Sequence, residues 1–319
     1  VGLDHVVLVK VASTALATKL MGGTRDQIKD AVTQAWVDGQ SLRTYRHAPN
    51  AGSRKSWAAG DATSRAVRLA MITLSGEMGY PSVLSAPKWG FEDVLFNEEQ
   101  LSLPQDFGTY VMENILFKIS FPAEFHAQTA VEAAVMLHPH IKDRLDDIKT
   151  IEVTTHESAI RIISKVGELN NPADRDHCLQ YMIAIGLIKG DLVAEDYEDD
   201  VASDPKIDRL REKMIINEDK RYSVEYHEAD KRSIANKLQI HFNDGTSSEE
   251  IEVEYPIGHK RRRVEGIPVL EQKFKNNLEI TFDSEKCDEI YNLCINQKDL
   301  ENTSVLDFQK LFSLENNIF

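Results

Sequence analysis

Apolar and small residues recur at helical spacing over the first part of the chain. The stretch Leu3–Met21 is apolar and predicts a buried helix. Thr24 and Gln27 have the spacing of a capping box, so a second helix is predicted from there to about Gly39. A third helix is predicted over Trp57–Ser75, where recurring alanines allow close packing.

The pattern changes in the middle of the chain. The stretch Ile148–Ile163 contains the alternating letters T-I-E-V-T-T and predicts a strand. The stretch Asp174–Ile188 predicts a helix with Asp174 as its N-cap. On that helix Asp174, His177 and Tyr181 would share one face, because residues three and four apart are neighbours.

A hairpin is predicted further on, because two strand-like runs flank a turn sequence. Leu238–Phe242 and Glu250–Tyr255 lie on either side of Asn243-Asp244-Gly245-Thr246, and an Asp-Gly step favours a tight turn. From Ile267 onward the pattern is helical again. The chain is therefore predicted to contain a helical domain at 1–113, an α+β domain at 114–256 and C-terminal helices at 257–319.

A basic, turn-rich segment, Ser41–Asp61, separates the second and third predicted helices. The chain has formal net charge -15, so clustered cations need an explanation. One explanation is a solvated loop that pairs with nearby carboxylates, and the other is a site that attracts an anionic ligand. Gly60 lies inside the third predicted helix, where it costs stability relative to alanine, so a close approach by backbone or ligand is expected there. The cationic candidates of this segment are Arg43, Arg46, His47, Arg54 and Lys55.

Composition narrows the class of protein. Hydrophobic residues make up 42% and charged residues 28%, which is typical of a globular chain. The net negative charge argues against broad binding to nucleic acid or anionic membranes. An iron–sulfur cluster normally needs about four cysteine or histidine ligands. Cys178, Cys287 and Cys294 are widely spaced and are expected to be small core residues.

Five stretches of the chain closely resemble the 2-methylcitrate dehydratase (MmgE/PrpD) family, and its dehydratase branch in particular. The basic segment reads L-R-T-Y-R-H-A-P-N-A-G-S-R-K-S-W-A-A-G-D, and the others include F-K-I-S-F-P-A-E-F-H-A-Q and N-N-P-A-D-R-D-H-C-L-Q-Y. They run in family order over most of the chain. The five stretches are 41–61, 79–90, 117–134, 170–184 and 254–266.

The resemblance implies a fold and an activity. Family members have an all-helical domain, built from both chain ends, with a smaller α+β lid inserted and the active site in the cleft. The C-terminal helices would return to the helical domain. The implied reaction eliminates water from 2-methylcitrate, without a cofactor, to give 2-methyl-cis-aconitate in the methylcitrate cycle of propionate catabolism. Side activity on citrate or cis-aconitate is expected, because one methyl group discriminates weakly.

The partners and the compartment follow from the same resemblance. The implied partner is a small tricarboxylate substrate, with a second copy of the chain in a homodimer and with neither nucleic acid nor membrane. The composition of the tail gives a eukaryotic, fungal impression. A mitochondrial matrix location is therefore expected for a eukaryotic protein, and a cytoplasmic one otherwise.

Elimination of water from a tricarboxylate requires cations for the carboxylates, a base for the carbon-bound proton and an acid for the departing hydroxide. Lys118 has apolar neighbours on both sides, so partial burial and a lowered pKa are expected there. By resemblance, the expected catalytic residues are Lys55, Lys118, Tyr181 and His126. The expected substrate-binding residues are Arg43, Arg46, His47, Arg54 and Lys260, and no metal ligands are expected.

Two alternatives remain open on the sequence alone. One is a cis-aconitate decarboxylase or a related epimerase, although Glu124 stands near the place where the decarboxylase branch has a histidine. The other is an inactive fragment or a dimerisation partner. The first residues, Val1–His5, lack an initiator methionine, and family members carry a helical segment earlier. The chain is therefore expected to be the C-terminal portion of such a protein.

Overall fold

The computed structural model describes residues 2–37, 39, 41–47, 50–103, 108, 111 and 114–313. The chain forms two compact units, which are discontinuous in sequence. The first unit takes its residues from 1–108, 158–184 and 194–212, and the second from 109–157, 185–193 and 213–319. The predicted division at residues 113 and 256 stays a prediction.

The described residues are mostly helical, with one small sheet. The α-helices up to residue 189 are α1 (Val6–Leu20), α2 (Arg25–Val37), α3 (Arg54–Leu74), α4 (Phe91–Leu95), α5 (Gln128–Ile141), α6 (Glu157–Ile163), α7 (Pro172–Arg175) and α8 (Leu179–Lys189). Those that follow are α9 (Asp199–Ala202), α10 (Pro205–Glu212), α11 (Lys220–His227), α12 (Arg263–Glu279), α13 (Ser284–Ile295), α14 (Gln297–Asn302) and α15 (Val305–Leu311). The strands are β1 (Ile148–Thr155), β2 (Met214–Glu218), β3 (Asn236–Phe242) and β4 (Ile251–Val253).

The start of α2 confirms the predicted capping box. The backbone amide of Thr24 donates to Oε1 of Gln27 at 2.9 Å, and the amide of Gln27 donates to Oγ1 of Thr24 at 3.3 Å. Helix α2 was predicted to end at about Gly39, and the described helix runs to Val37. The neighbours of Gly39, Asp38 and Gln40, lie outside the described residues. Two backbone amides near the helix start therefore have side-chain acceptors, which favours a helix starting at this point.

Small residues let α1 and α3 pack closely in the first unit. α3 buries an alanine at every fourth position, which forms one continuous face of the helix. This face packs with Val6 of α1 and with Tyr45. The buried alanines of α3 are Ala58, Ala62, Ala66 and Ala70.

The third helix begins earlier than predicted, at Arg54 instead of Trp57. Its first turn therefore includes Arg54 and Lys55, and the amide ends of the helix add positive potential there. A Cβ placed on Gly60 would meet no heavy atom within 4 Å. The expected close approach of backbone to Gly60 is therefore not found among the described residues.

Two predicted elements are interrupted. The strand predicted over Ile148–Ile163 ends at Thr155, and α6 takes up its second half. The helix predicted from Asp174 is interrupted at 176–178, where a turn at 176–177 separates α7 from α8, so His177 does not share a helix face with Tyr181. The true N-cap of α7 is Asn171, whose side chain accepts the amide of Asp174 at 3.0 Å. Capping by Asn171 and Pro172 at the first helical position start this short helix one turn early.

The second unit contains a four-stranded sheet in the order β2-β1-β3-β4. β1 pairs with β2 in parallel and with β3 antiparallel, and β3 pairs with β4 antiparallel. The predicted hairpin is confirmed, with Gly245 at φ +85° in its turn. Helix α5 packs on the sheet through β3 and β4. The core here includes Val131, Leu137, Ile151, Val153, Leu238 and Ile240.

The helices predicted after Ile267 are present in the described residues, up to the last few residues of the chain, 314–319, which lie outside them. α12 and α13 enclose a small apolar cluster of Leu278, Cys287 and Ile290, against which Cys294 packs. Cys178 is buried as well, so the prediction that the cysteines are core residues is confirmed for Cys178 and Cys287. Among the described residues, no helix has both the length and the apolar character that crossing a bilayer requires.

Replacing Gly60 with alanine is expected to stabilise the first unit by about 0.5–1 kcal/mol, because a mid-helix glycine loses more backbone entropy and the site has room for a methyl group. The measurement is the free energy of unfolding in urea. Gly245→Ala is the opposing control: φ is +85° there, so that variant should lose about 1–2 kcal/mol. Destabilisation by Gly60→Ala would contradict this account of α3.

Candidate active site

Lys55 lies in the first turn of α3 and is almost completely removed from water, with its side chain 8% exposed. Three acceptors surround its ammonium nitrogen. Nζ lies 3.1 Å from the carbonyl oxygen of Ala173, 2.9 Å from Oδ1 of Asp176 and 2.7 Å from Nδ1 of His177. An ammonium has three N–H donors, so this arrangement satisfies it when Nδ1 of His177 acts as an acceptor.

The pKa values of Lys55 and Asp176 both lie below their usual values. Burial lowers the pKa of Lys55 below its usual value, and the nearby charges of Lys165 and Arg46 act in the same direction against the opposing effect of Asp176. Burial alone would raise the pKa of Asp176, but its hydrogen bonds to His177 and Lys55 outweigh burial and lower it. A buried lysine with a lowered pKa exchanges its proton more readily at neutral pH.

Two of the predicted binding arginines are held by carboxylates in the first unit. Nε of Arg46 donates to Oδ2 of the fully buried Asp4 at 2.5 Å. An η nitrogen of Arg54 donates to Asp61 at 3.1 Å, and its guanidinium lies 4.3 Å from the centre of the Trp57 ring. Both arginine side chains therefore have a carboxylate partner within the first unit.

His47 lies among cations. Nε of Arg43 is 3.3 Å from Nε2 of His47, and burial together with the charges of Arg43, Lys165 and Arg161 lowers the pKa of the imidazole. Lys165 and Arg161 were not predicted from the sequence, because they lie about 100 residues beyond the end of the basic segment and no local pattern marks them. The first unit thus gathers positive charge from two distant stretches.

Tyr181 is placed in the interior of the first unit. Its side chain is buried, and its hydroxyl donates to the carbonyl oxygen of Asp196 at 2.5 Å. Burial raises the pKa of Tyr181 to about 12. Its ring stacks on that of Tyr197, with 6.1 Å between centres. The hydroxyl therefore has a structural partner, and the predicted catalytic role stays a prediction.

The second unit holds a buried pair of imidazoles. Nδ1 of His126 lies 2.8 Å from Nε2 of His156, and the ring of Tyr226 stacks on His156 with 4.8 Å between centres. Burial lowers the pKa of His156 to about 4, so His156 is neutral at neutral pH. Only His126 of this pair was predicted from the sequence. His156 directly follows β1, and the alternation of apolar and polar residues in that strand does not indicate a partner histidine.

The other two predicted residues of the second unit differ in their surroundings. Lys118 is exposed, so its expected partial burial is wrong; the apolar neighbours Phe117 and Ile119 are less exposed than Lys118. Nζ of Lys260 donates to Oδ1 of Asn114 at 2.7 Å. Lys260 also lines a cavity of about 340 Å³ together with Arg232 and His259.

The fold and these groups define a mostly helical protein with a buried lysine next to a carboxylate and an imidazole, as acid–base chemistry on an anion requires. Residues 1–104 match the family model of the MmgE/PrpD N-terminal domain, and residues 121–297 match that of the MmgE/PrpD C-terminal domain. The chain belongs to the MmgE/PrpD family. Because it matches both models, the expected description as a C-terminal portion is too narrow.

Several relatives share more than half of their aligned residues with this chain. The "2-methylcitrate dehydratase" of Escherichia coli K12 is 57% identical over 315 residues, which is 98% of this chain and 65% of the relative. That of Cupriavidus necator is 57% identical over 317 residues, 98% of this chain and 66% of the relative. The "2-methylcitrate dehydratase, mitochondrial" of Yarrowia lipolytica is 56% identical over 315 residues, 98% and 60% respectively. The chain therefore spans less than two thirds of the length of these relatives.

Replacing Tyr181 with phenylalanine is expected to cost about 1–3 kcal/mol of unfolding free energy, because the buried carbonyl of Asp196 loses this donor. Urea unfolding measures the loss. Tyr80→Phe, at a ring 41% exposed in the same unit, is the control and should change stability little. Equal stability of the two variants would show that the Tyr181 hydroxyl bond contributes nothing.

His156 gives the stability of the second unit a defined pH dependence. Its pKa is about 4 in the folded chain against its usual value of 6.5, so the unfolded chain binds more protons between these values. Stability is therefore expected to fall by on the order of 3 kcal/mol as pH drops from 6.5 to 4 through this group. His156→Gln should remove that contribution. Burial likewise lowers the pKa of His259 to about 4, so part of the total slope should remain in the variant.

The measurement is the free energy of unfolding at a series of pH values across this window. His140→Gln is the matched control, because His140 is exposed in the same unit and its removal should leave the slope unchanged. An unchanged slope in His156→Gln would contradict the assignment of a buried, neutral imidazole.

Proposed function

We propose that this chain carries out the dehydration of 2-methylcitrate to 2-methyl-cis-aconitate, a step of propionate catabolism through the methylcitrate cycle. The observation that carries the proposal is the Lys55 cluster, where a buried ammonium contacts a carboxylate and an imidazole. Lys55 lies within residues 1–104, which match the N-terminal family model. Asp176 and His177 lie within residues 121–297, which match the C-terminal family model. Three relatives with 56–57% identity are named for this activity, which supports the same substrate here.

The reaction needs a balanced movement of one proton and one hydroxide. A base takes a proton from the carbon next to a carboxylate, the C–H electron pair becomes the double bond, and the C–O bond breaks. An acid protonates the departing hydroxide, so that water leaves. Lys55 is suited to one of these proton transfers, because its ammonium and amine forms are closer in free energy when burial disfavours the charge.

The cations of the first unit are suited to hold the substrate carboxylates. Arg43, Lys165 and Arg161 all act electrostatically on His47, so an anion near this imidazole would experience their combined field. The proposal includes the roles expected from the resemblance for Lys118, His126 and Lys260, and a cofactor-independent reaction. It also includes the lid role of the α+β domain, which the resemblance implies.

The state of assembly and the compartment are part of the same proposal. Homodimerisation rests on the resemblance. A mitochondrial location is supported by the Yarrowia lipolytica relative, which is named as a mitochondrial 2-methylcitrate dehydratase. Decarboxylation of cis-aconitate receives no such support, since the relatives named above are called dehydratases.

The test is the ultraviolet absorbance of the conjugated alkene formed from 2-methylcitrate, with a chelator present throughout. Lys55→Met is expected to lower kcat by about 10²-fold or more, because a positioned acid–base group typically contributes that much. Lys29→Met is the control, because Lys29 has a side chain 63% exposed in the same unit and should leave kcat unchanged.

The Escherichia coli relative serves as the positive control for the assay. A folded chain that leaves 2-methylcitrate unchanged while the relative converts it would overturn the proposal and favour an inactive fragment. Carbon dioxide release from cis-aconitate would instead favour the decarboxylase.

A further inference from the structure

The imidazole of His177 lies between the two charged groups of the Lys55 cluster. Its Nδ1 is 2.7 Å from Nζ of Lys55 and 2.7 Å from Oδ1 of Asp176. The same ring nitrogen therefore meets a donor on one side and an acceptor on the other. A nitrogen with a single position for a proton cannot serve both contacts in one protonation state.

Counting protons gives two arrangements with the same total charge. In the first, Lys55 is an ammonium that donates to Ala173, Asp176 and the lone pair of His177 Nδ1, so His177 carries its proton on Nε2. In the second, one proton has moved from Lys55 to His177 Nδ1, across the 2.7 Å between the two nitrogens. Lys55 is then a neutral amine, and His177 is an imidazolium that donates to Asp176.

We propose that His177 is a proton-relay residue for Lys55. It takes the ammonium proton so that the neutral amine can remove the carbon-bound proton, and it then releases its own proton to water, while Lys55 keeps the proton from carbon and is an ammonium again. This inference rests on the proposed function, because it assigns a role within the same reaction. His177 acts through Lys55, and Asp176 stabilises the imidazolium.

The backbone around His177 supports a fixed geometry for this relay. Nδ2 of Asn171 donates to the carbonyl oxygen of Ala51 at 3.3 Å, which ties the segment before α7 to the residues before α3. The amide of Cys178 donates to the carbonyl oxygen of Arg175 at 3.1 Å, and the Cys178 side chain is buried. His177 is therefore held between two anchored residues.

Exposure decreases in the order that a proton path to water would need. The side chains are 36% exposed at Asp176, 19% at His177 and 8% at Lys55. The outer groups reach solvent, and the reactive amine is screened from it. Two further charged groups, Lys165 and Arg46, act on Lys55. The charge of Asp176 acts in turn on Tyr197.

A purely structural ion pair between Lys55 and Asp176 is the competing explanation, since it would join residues 121 positions apart without any proton movement. The two explanations differ for His177→Asn. Asparagine keeps a polar atom near the position of Nδ1 but cannot take up a proton at neutral pH. A structural role would be preserved by this substitution, whereas a relay would be lost.

The kinetic test compares His177→Asn with the unsubstituted chain in 2-methylcitrate dehydration. A relay predicts that kcat falls roughly 10²-fold with KM little changed, because the loss is in proton transfer. The acid limb of the kcat profile should also move to higher pH, since the variant must lose a proton to water before Lys55 can act. Wild-type kcat and an unmoved profile in His177→Asn would overturn the relay.

A second measurement does not depend on activity. In ¹⁵N-histidine-labelled protein, long-range ¹H–¹⁵N correlation spectra report which ring nitrogen carries the proton. His177→Asn identifies the resonance. The relay predicts the Nε2–H form in the unsubstituted chain at neutral pH, and protonation of Nδ1 in Lys55→Met, where the contact with Asp176 remains.

The two measurements separate the two proposals. A chain without dehydratase activity that still shows this change of protonation would refute the proposed function and retain the proton coupling between Lys55 and His177. A His177 ring with Nδ1 protonated in both proteins would overturn the relay even in a fully active chain.

Discussion

Removal of the Lys55 ammonium from water is the constraint on which the candidate site depends. A buried charge is tolerated only when it is paired and hydrogen-bonded. Lys55 obtains its three acceptors from a segment more than 100 positions later, so the start of α3 and the turn after α7 must come together for the charge to be buried. The same burial lowers the pKa of Lys55 and makes it suitable for proton transfer. Stability and chemistry therefore place opposite demands on one side chain.

Local patterns predicted the elements well and the contacts between them poorly. The capping box of α2 and the turn with Gly245 were predictable, because each depends on residues within a few positions. The helix expected from Asp174 was wrong in detail, since capping by Asn171 competed with the longer apolar pattern. The resemblance identified Lys55, but the role of Asp176 depends on a contact 121 positions away, which no periodicity reveals. The expected burial of Lys118 failed because apolar neighbours in sequence do not specify which side chain faces water.

Two histidine arrangements show how the surroundings separate similar groups. His156 is fully buried next to His126 and Tyr226, and burial holds it neutral, so it contributes a hydrogen-bonding partner within the second unit. His177 is partly exposed, and its Nδ1 lies 2.7 Å from Oδ1 of Asp176. One imidazole is therefore suited to fixing a neighbour, and the other to exchanging a proton.

The discontinuous first unit also has a consequence for synthesis of the protein on the ribosome. Lys55 is translated 118 residues before Ala173 and 121 before Asp176, so it leaves the exit tunnel long before its acceptors exist. During that interval water must solvate the ammonium, and the face of α3 around it cannot close. The last segment of the unit, 194–212, is made later still. The first unit therefore reaches its final form only after residues 109–157 and 185–193 of the second unit have been translated, so its folding cannot finish before synthesis has passed residue 212.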